Sequence, residues 1–231
     1  ITGSNGKTTT KEILFCLLSG VSNGSIYCTQ GNYNNHIGVP LTLLHIHPQV
    51  EIAIIEMGAN HVGDITGYCE VACPTHGLIT NIGHAHTETF GGIEGVIRGK
   101  SELFDFIRKH GGTAFINKND SVLSNMGKRF ESPVVFPQPD FKLHSSSPFL
   151  NVQLGDHTKE TNMVGRYNFS NMAAAVAVGR FFEVPDENIL SAIASYEPDN
   201  ARSQIIKKGT TTIILDAYNA NPDSMKVALE N

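Results

Sequence analysis

The segment Gly3-Ser4-Asn5-Gly6-Lys7-Thr8-Thr9-Thr10, followed at once by a helical apolar pattern, constrains this chain more than any other feature. Glycines there let the backbone bend until several N–H groups face one anion. A helix begun at that point adds the positive end of its dipole. Lys7 can then reach the β- and γ-phosphates of a nucleotide as a mobile point charge, and the Thr8 hydroxyl can ligate Mg2+. The long form of the loop has a glycine where this chain has Ile1, so the match is the shorter GxxGKT form. The competing reading is a glycine-rich helix start, which leaves Lys7 without a purpose. Ile1-Thr2-Gly3 falls already inside the loop, and Leu229-Glu230-Asn231 ends a helical pattern without a stop signal. A fragment of a longer protein is therefore expected.

Strand and helix patterns alternate beyond the loop. Residues 7–18 place Ile13, Leu14, Leu17 and Leu18 at helical spacing. Residues 52–55 form a short, wholly apolar run of the kind found in a strand covered on both faces, and 76–82 and 113–116 read similarly. Helical segments near 63–70 and 92–109 lie between them. The expected fold is α/β: a P-loop-type, mostly parallel sheet flanked by helices. Residues 131–162, with Pro133, Pro137, Pro139, Pro148 and a serine run, suggest hairpins or loops. Helices return at 171–182 and 187–196. The break Glu197-Pro198-Asp199-Asn200 precedes a strand pair, 204–207 and 211–215, turning near Gly209, and a helix start at Pro222. A boundary near Asp199 divides a domain of residues 1–199 from the start of a second, Rossmann-like α/β domain, 200–231.

Composition narrows the partners. Over 231 residues, 17 Lys+Arg oppose 22 Asp+Glu, a formal net charge of −5, where a nucleic-acid or anionic-membrane surface needs a basic excess. No apolar run approaches the ~18–20 residues that span a bilayer, so no membrane insertion is expected. Cys16, Cys28, Cys69 and Cys73 are too scattered for a disulfide framework, which fits a reduced, cytoplasmic protein.

Two strand ends deliver candidate ligands. Glu56 closes the 52–55 run, and in an open parallel sheet ligands bind beyond the carboxyl ends of the strands. A carboxylate there suits Mg2+, which takes oxygen ligands, although a solvated strand-end residue would look the same. The next strand leads into Asn81-Ile82-Gly83-His84-Ala85-His86-Thr87-Glu88. Its H-x-H pair also reads as the metal pair of a hydrolase. Lys100, in Gly99-Lys100-Ser101-Glu102 on an apolar-faced helix, reads from composition as a surface lysine.

The blocks TGSNGKTTTKE, GNYNNHIGVPLTLL, EMGANHVGDI, TNIGHAHTETFGG, GKSELF, GRYNFSNMAAA and LDAYNANPDSM occur in that order. Together they resemble the central ATPase domain of the Mur ligase family, over residues 1 to about 225 and more weakly across 131–162. The resemblance implies an ATP-dependent amide ligase working through an acyl phosphate, with ATP and two Mg2+ ions as cofactors. Within the family, NYNNHIGVP, EMGANH and YNANP are most like the member whose substrates are UDP-N-acetylmuramoyl-tripeptide and D-alanyl-D-alanine, and a monomer is implied.

The implied catalytic residues are Lys7, Lys100 and His86. Gly3, Ser4, Asn5, Gly6, Lys7, Thr8, Thr9, Asn168, Asn171, Arg202 and Asp216 are implied for ATP, and Asn35, Tyr218 and Asn219 for substrate, with Asn221 nearby. Thr8, Glu56, His86 and Lys100 are implied for metal. Lys100 matches a family lysine carbamylated by CO2, which turns a cation into an anion able to sit beside Mg2+. His84 stands where the family pattern requires no histidine, and Glu88 is a supporting candidate. Asn171 could equally cap the helix that follows it. The alternatives are another amide ligase of the superfamily, such as a folylpolyglutamate synthase, a metal-dependent hydrolase on His84 and His86, or a non-catalytic nucleotide-binding module.

Overall fold

The computed structural model describes residues 1–20, 25–84, 86–218, 220 and 222–230. Asn219 and Asn221, expected beside the substrate, lie outside the described residues, as does Ala85.

The phosphate loop swings into α1 (Lys7–Ser19) through Gly6, whose φ of 80° a side chain rarely tolerates. Ile13, Leu14, Leu17 and Leu18 form the buried face of α1. β1 (Ile26–Cys28) pairs parallel with β2 (Ile52–Ile54), with α2 (Gly38–Leu44) between them in the chain. α3 (Asp64–Ala72) leads to β3 (His76–Leu78), and α4 (Thr87–Phe90) and α5 (Ile93–Lys109) lead on to β4 (Thr113–Asn117). α6 (Ser121–Gly127) precedes β5 (Val134–Phe136), and β3, β4 and β5 run parallel in that order.

Ile1 and Thr2 join the two parallel pieces. Ile1 N donates to Ile55 O at 2.7 Å and Met57 N to Ile1 O at 2.8 Å. On the other side Thr2 N donates to Leu78 O, and Thr80 N to Thr2 O. Below that junction β2 and β3 stand apart, leaving an apolar groove of about 310 Å³ lined by Ile52, Ala53 and Ile55 on one side and His76, Gly77 and Leu78 on the other. Ala53 is exposed as a result, so the 52–55 run is not covered throughout. The 76–82 run is also shorter than expected: after Leu78 only Ile79 bridges to Thr2, and the chain then leaves the sheet to meet the phosphate loop.

Helices cover both faces. α1, α7 (Asn168–Phe181) and α8 (Asp186–Ser195) pack one core with Phe115, Phe136 and Cys28. α3, α5 and α6 enclose a second around Ile79, Phe104 and Ile116. α7 is alanine-rich and apolar almost all round, which suits a helix buried between α1 and the sheet. It starts at Asn168, so Asn171 sits inside its first turn and is not its cap. The 131–162 region supplies β5 and then an antiparallel sheet, β6 (Phe141–Ser145), β7 (Asn151–Leu154) and β8 (His157–Glu160). A separate hairpin, β9 (Gln204–Lys208) and β10 (Thr211–Leu215), turns through Gly209 and precedes α9 (Pro222–Glu230).

Candidate active site

The phosphate loop is clamped to the chain that leaves β3. Thr80 Oγ1 donates to Asn5 O at 2.6 Å, and Asn81 both accepts from Asn5 N and donates to Asn5 O at 3.0 Å. Ser4 and Gly83 exchange bonds through the serine hydroxyl at 3.0 and 2.9 Å. A Cβ on Gly3 would lie 1.9 Å from Thr80 Oγ1, so the close approach needs glycine there. Behind the loop, Asn171 Nδ2 donates to Asn168 Oδ1 at 2.9 Å, and Asn171 Oδ1 accepts from Thr10. Both asparagines are buried and brace the first turn of α1.

Lys7 folds over its own loop, donating to Gly3 O at 2.8 Å and Ser4 O at 3.3 Å. Desolvation lowers its pKa, with Glu56 opposing and Arg202 adding to the shift. Glu56 is fully buried at the end of β2. Its N–H donates to Thr29 Oγ1, and its Oε1 accepts from Thr8 Oγ1 at 3.1 Å and from Asn34 Nδ2 at 2.6 Å. Oε2 has no hydrogen-bond partner. A buried carboxylate oxygen left in that state, next to the Thr8 hydroxyl, offers oxygen donors of the kind a hard divalent cation takes.

Lys100 is not a surface residue: it is 2% exposed on α5. Its Nζ lies 3.5 Å from Ala59 O and 5.5 Å from the centroid of the Phe90 ring. Burial, followed by repulsion from Lys7, brings its pKa down from 10.5 to about 7, with Asp64 and Glu102 opposing. At neutral pH a substantial fraction of this amine is therefore deprotonated, the nucleophilic form of a lysine. His86 takes a left-handed φ of 59° at the start of α4. Desolvation, then Lys100 and Lys7, lowers its pKa, so it shares the field of both ammoniums. Glu88 is exposed on α4. Among the described residues no three His, Cys, Asp or Glu side chains gather as a metal cage, which a hydrolase centred on His84 and His86 requires.

The carboxy-terminal segment reaches the same end of the sheet. Arg202 stacks 3.6 Å from the centroid of the Tyr218 ring, and Tyr218 OH accepts from Asn32 at 2.8 Å. Tyr167 bonds to Ser203 and, at 3.4 Å, to Asp216. Asn35 is spent on capping α2, its Oδ1 accepting from Ile37 N and Gly38 N. Its neighbour Asn34 is the one that reaches Glu56. The sequence reading missed Asn34, Thr29 and Lys11; Asn34 lies in the GNYNNHIGVP block and Lys11 in the TGSNGKTTTKE block, and nothing local marks Thr29.

A family described as the Mur ligase middle domain matches residues 1–179. The UDP-N-acetylmuramoyl-tripeptide–D-alanyl-D-alanine ligase of Bacillus subtilis is 31% identical over 100% of this chain and 51% of its own length. The Escherichia coli ligase of that name is 32% identical over 100% of this chain and 53% of its own. The chain thus spans about half the length of these relatives. Among solved structures, MurF ligase from Thermotoga maritima in complex with ADP has a TM-score of 0.86 at 29% identity, covering 100% of this chain and 55% of that one. MurF from Acinetobacter baumannii has a TM-score of 0.85 at 31% identity, covering 99% and 52%. With the phosphate loop, the parallel sheet and the Glu56 site all in hand, the chain belongs to the Mur ligase family.

Proposed function

We propose that residues 1–199 form the ATP-binding domain, and 200–231 the start of the closing domain, of a ligase joining D-alanyl-D-alanine to UDP-N-acetylmuramoyl-tripeptide. The observation that carries this reading is Glu56: a buried carboxylate at a strand end, one oxygen bonded to Thr8 of the phosphate loop and the other without a hydrogen-bond partner.

The chemistry follows from the charges. A substrate carboxylate oxygen attacks the γ-phosphorus of ATP as the bond to the β-phosphate oxygen breaks, giving an acyl phosphate and ADP. The free amine of D-alanyl-D-alanine then attacks the acyl carbon; phosphate leaves, the amine loses a proton, and the amide remains. Both partners in the first step are anionic, so positive charge has to be in place beforehand. Lys7 and the first N–H groups of α1 would bind the phosphates, with the N–H groups of Ser4 and Asn5 held by Asn81 to shape the loop. Thr8 and Glu56 would hold one Mg2+, and His86 with Lys100, were it carbamylated, the second. These cations supply the neutralising charge. Lys100 in its neutral form takes CO2 and releases a proton to become the carbamate. Asn168 and Asn171 would support the nucleotide from behind the loop, Arg202 and Asp216 would engage it from the closing segment, and Tyr218, with Asn35 and Asn219, is assigned to the substrate by the family resemblance. The reading includes a monomeric, cytoplasmic enzyme; among the described residues no helix is long and apolar enough to cross a membrane.

The test is phosphate release by the full-length protein supplied with ATP, Mg2+, UDP-N-acetylmuramoyl-tripeptide and one acceptor amine at a time. Release that depends on D-alanyl-D-alanine supports the reading. Turnover with L-glutamate and none with D-alanyl-D-alanine would replace it with a folylpolyglutamate-type ligase.

A further inference from the structure

Lys11 is 2% exposed, and no step of the proposed reaction uses it. It lies one helical turn beyond Lys7 on α1. Its ammonium donates to the carbonyls of Thr29 at 2.8 Å and Gly31 at 3.0 Å. Glu12 Oε1 lies 3.8 Å from the same nitrogen and Glu56 Oε2 lies 3.9 Å from it. That second separation is too long for a hydrogen bond and short enough for strong Coulomb attraction in a buried site.

The segment that Lys11 grips is the one that grips Glu56. Thr29 Oγ1 accepts the Glu56 N–H at 2.9 Å, and Asn34 Nδ2 donates to Glu56 Oε1 at 2.6 Å. An ammonium has three protons, and two of these are spent on carbonyls. Lys11 therefore gives the buried carboxylate a counter-charge without closing on Oε2, and that oxygen keeps its lone pairs. We propose that Lys11 is a positioning residue, which fixes residues 29–34 and Glu56 in the geometry that receives a divalent cation. The inference rests on the reading of Glu56 as a cation ligand.

Replacement by methionine keeps most of the volume, strands the Thr29 and Gly31 carbonyls and removes the ion-pair partner of Glu56. The measurement is calorimetric titration of the full chain with ADP, once with Mg2+ and once with chelator. In Lys11→Met the gain in ADP affinity from Mg2+ should fall about tenfold, the usual scale for a residue supporting a metal ligand. Metal-free ADP affinity, which depends on the phosphate loop, should stay within about twofold. Lys11→Arg keeps the charge and should retain most of the gain. If Lys11→Met does not fold, Lys11→Gln is read by the same criteria. A lower melting temperature with the Mg2+ gain intact would overturn the proposal, as would a Lys11→Arg loss equal to that of Lys11→Met. Absence of any Mg2+ gain in the unmodified chain would overturn the Glu56 reading itself, and the Lys11 inference with it.

Discussion

Replacing Lys100 with methionine should make the protein more stable at neutral pH while removing the amine proposed to carry the carbamate. In the folded state burial and the nearby Lys7 hold the Lys100 pKa at about 7, whereas the unfolded chain restores 10.5. Between those values the unfolded state binds a proton that the folded state does not, so folding is penalised. The penalty is complete below about pH 7 and vanishes above 10.5, the reverse of a lysine that gains a partner on folding. At roughly 1.4 kcal/mol per pH unit, the ceiling is about 5 kcal/mol, and relaxation of the site leaves about 2–4 kcal/mol. Methionine carries no such cost, and it forfeits the long 3.5 Å contact to Ala59 O, the approach to the Phe90 ring and the distant attraction of Asp64 and Glu102. Urea unfolding of both forms in CO2-free buffer, at steps from pH 6.5 to 10, isolates the effect because every other titrating group is common to the pair. The Lys100→Met advantage should be largest at the acid end and shrink steadily as pH rises. A variant less stable than the parent at pH 7, or an advantage independent of pH, would refute the reasoning.

In bicarbonate labelled with 13C, the parent chain should show a carbamate carbon resonance that Lys100→Met lacks; an unchanged spectrum would remove the carbamate from the proposal. Gly6→Ala puts a Cβ 2.3 Å from Asn171 Oδ1 at a φ of +80°, so it should cost about 1–3 kcal/mol in denaturant unfolding and weaken ADP binding. Glu56→Gln should erase the Mg2+-dependent gain in ADP affinity and leave metal-free binding within about twofold, as read by titration calorimetry. Tyr196→Phe breaks the 2.7 Å bond to Glu12, which also holds Asn200, and should cost about 1.5–3 kcal/mol and speed proteolysis of residues 197–203. Equal digestion rates would show that this contact does not secure the connection to β9.

What could be read from the sequence was local. α1, α5 and α7 carry apolar faces or alanine runs many residues long, and β2, β3 and β4 carry compact apolar stretches, so each declares itself without a partner. β1 does not: Ile26-Tyr27-Cys28 is three residues long and becomes a strand because β2 lies beside it in register. α2 was equally hidden, since the side chain of Asn35 that starts it also lies in a block resembling a substrate site. α6 was legible in principle, because Asp120 is an ordinary side-chain cap accepting from Val122 N and Leu123 N. Lys100 shows the limit most sharply. Composition put it on the surface; its burial depends on Phe90, just ahead of α5, and on the turn after Glu56, which is distant in sequence, and only the family resemblance marked it as special. Asn34 and Asn35 are adjacent and alike, and only the fold separates the one that bonds Glu56 from the one that caps a helix.

The electrostatics also link the two lysines. Lys7 is the strongest charged contributor to the low pKa of Lys100, and both act on His86. A polyphosphate that neutralises Lys7 removes that repulsion and lets Lys100 hold its proton more tightly, which opposes reaction with CO2. A divalent cation near Glu56 acts the other way, disfavouring the ammonium and favouring an anion in its place. Nucleotide and metal therefore pull Lys100 in opposite directions when each binds alone. On the proposed reading two Mg2+ ions offset the four charges of ATP, so joint occupancy would leave the net charge around Lys7 and Lys100 close to its starting value. A site built this way gains by receiving phosphate and cation together. On that reading, a buried carboxylate oxygen without a hydrogen-bond partner and a lysine of lowered pKa belong together at the same end of one sheet.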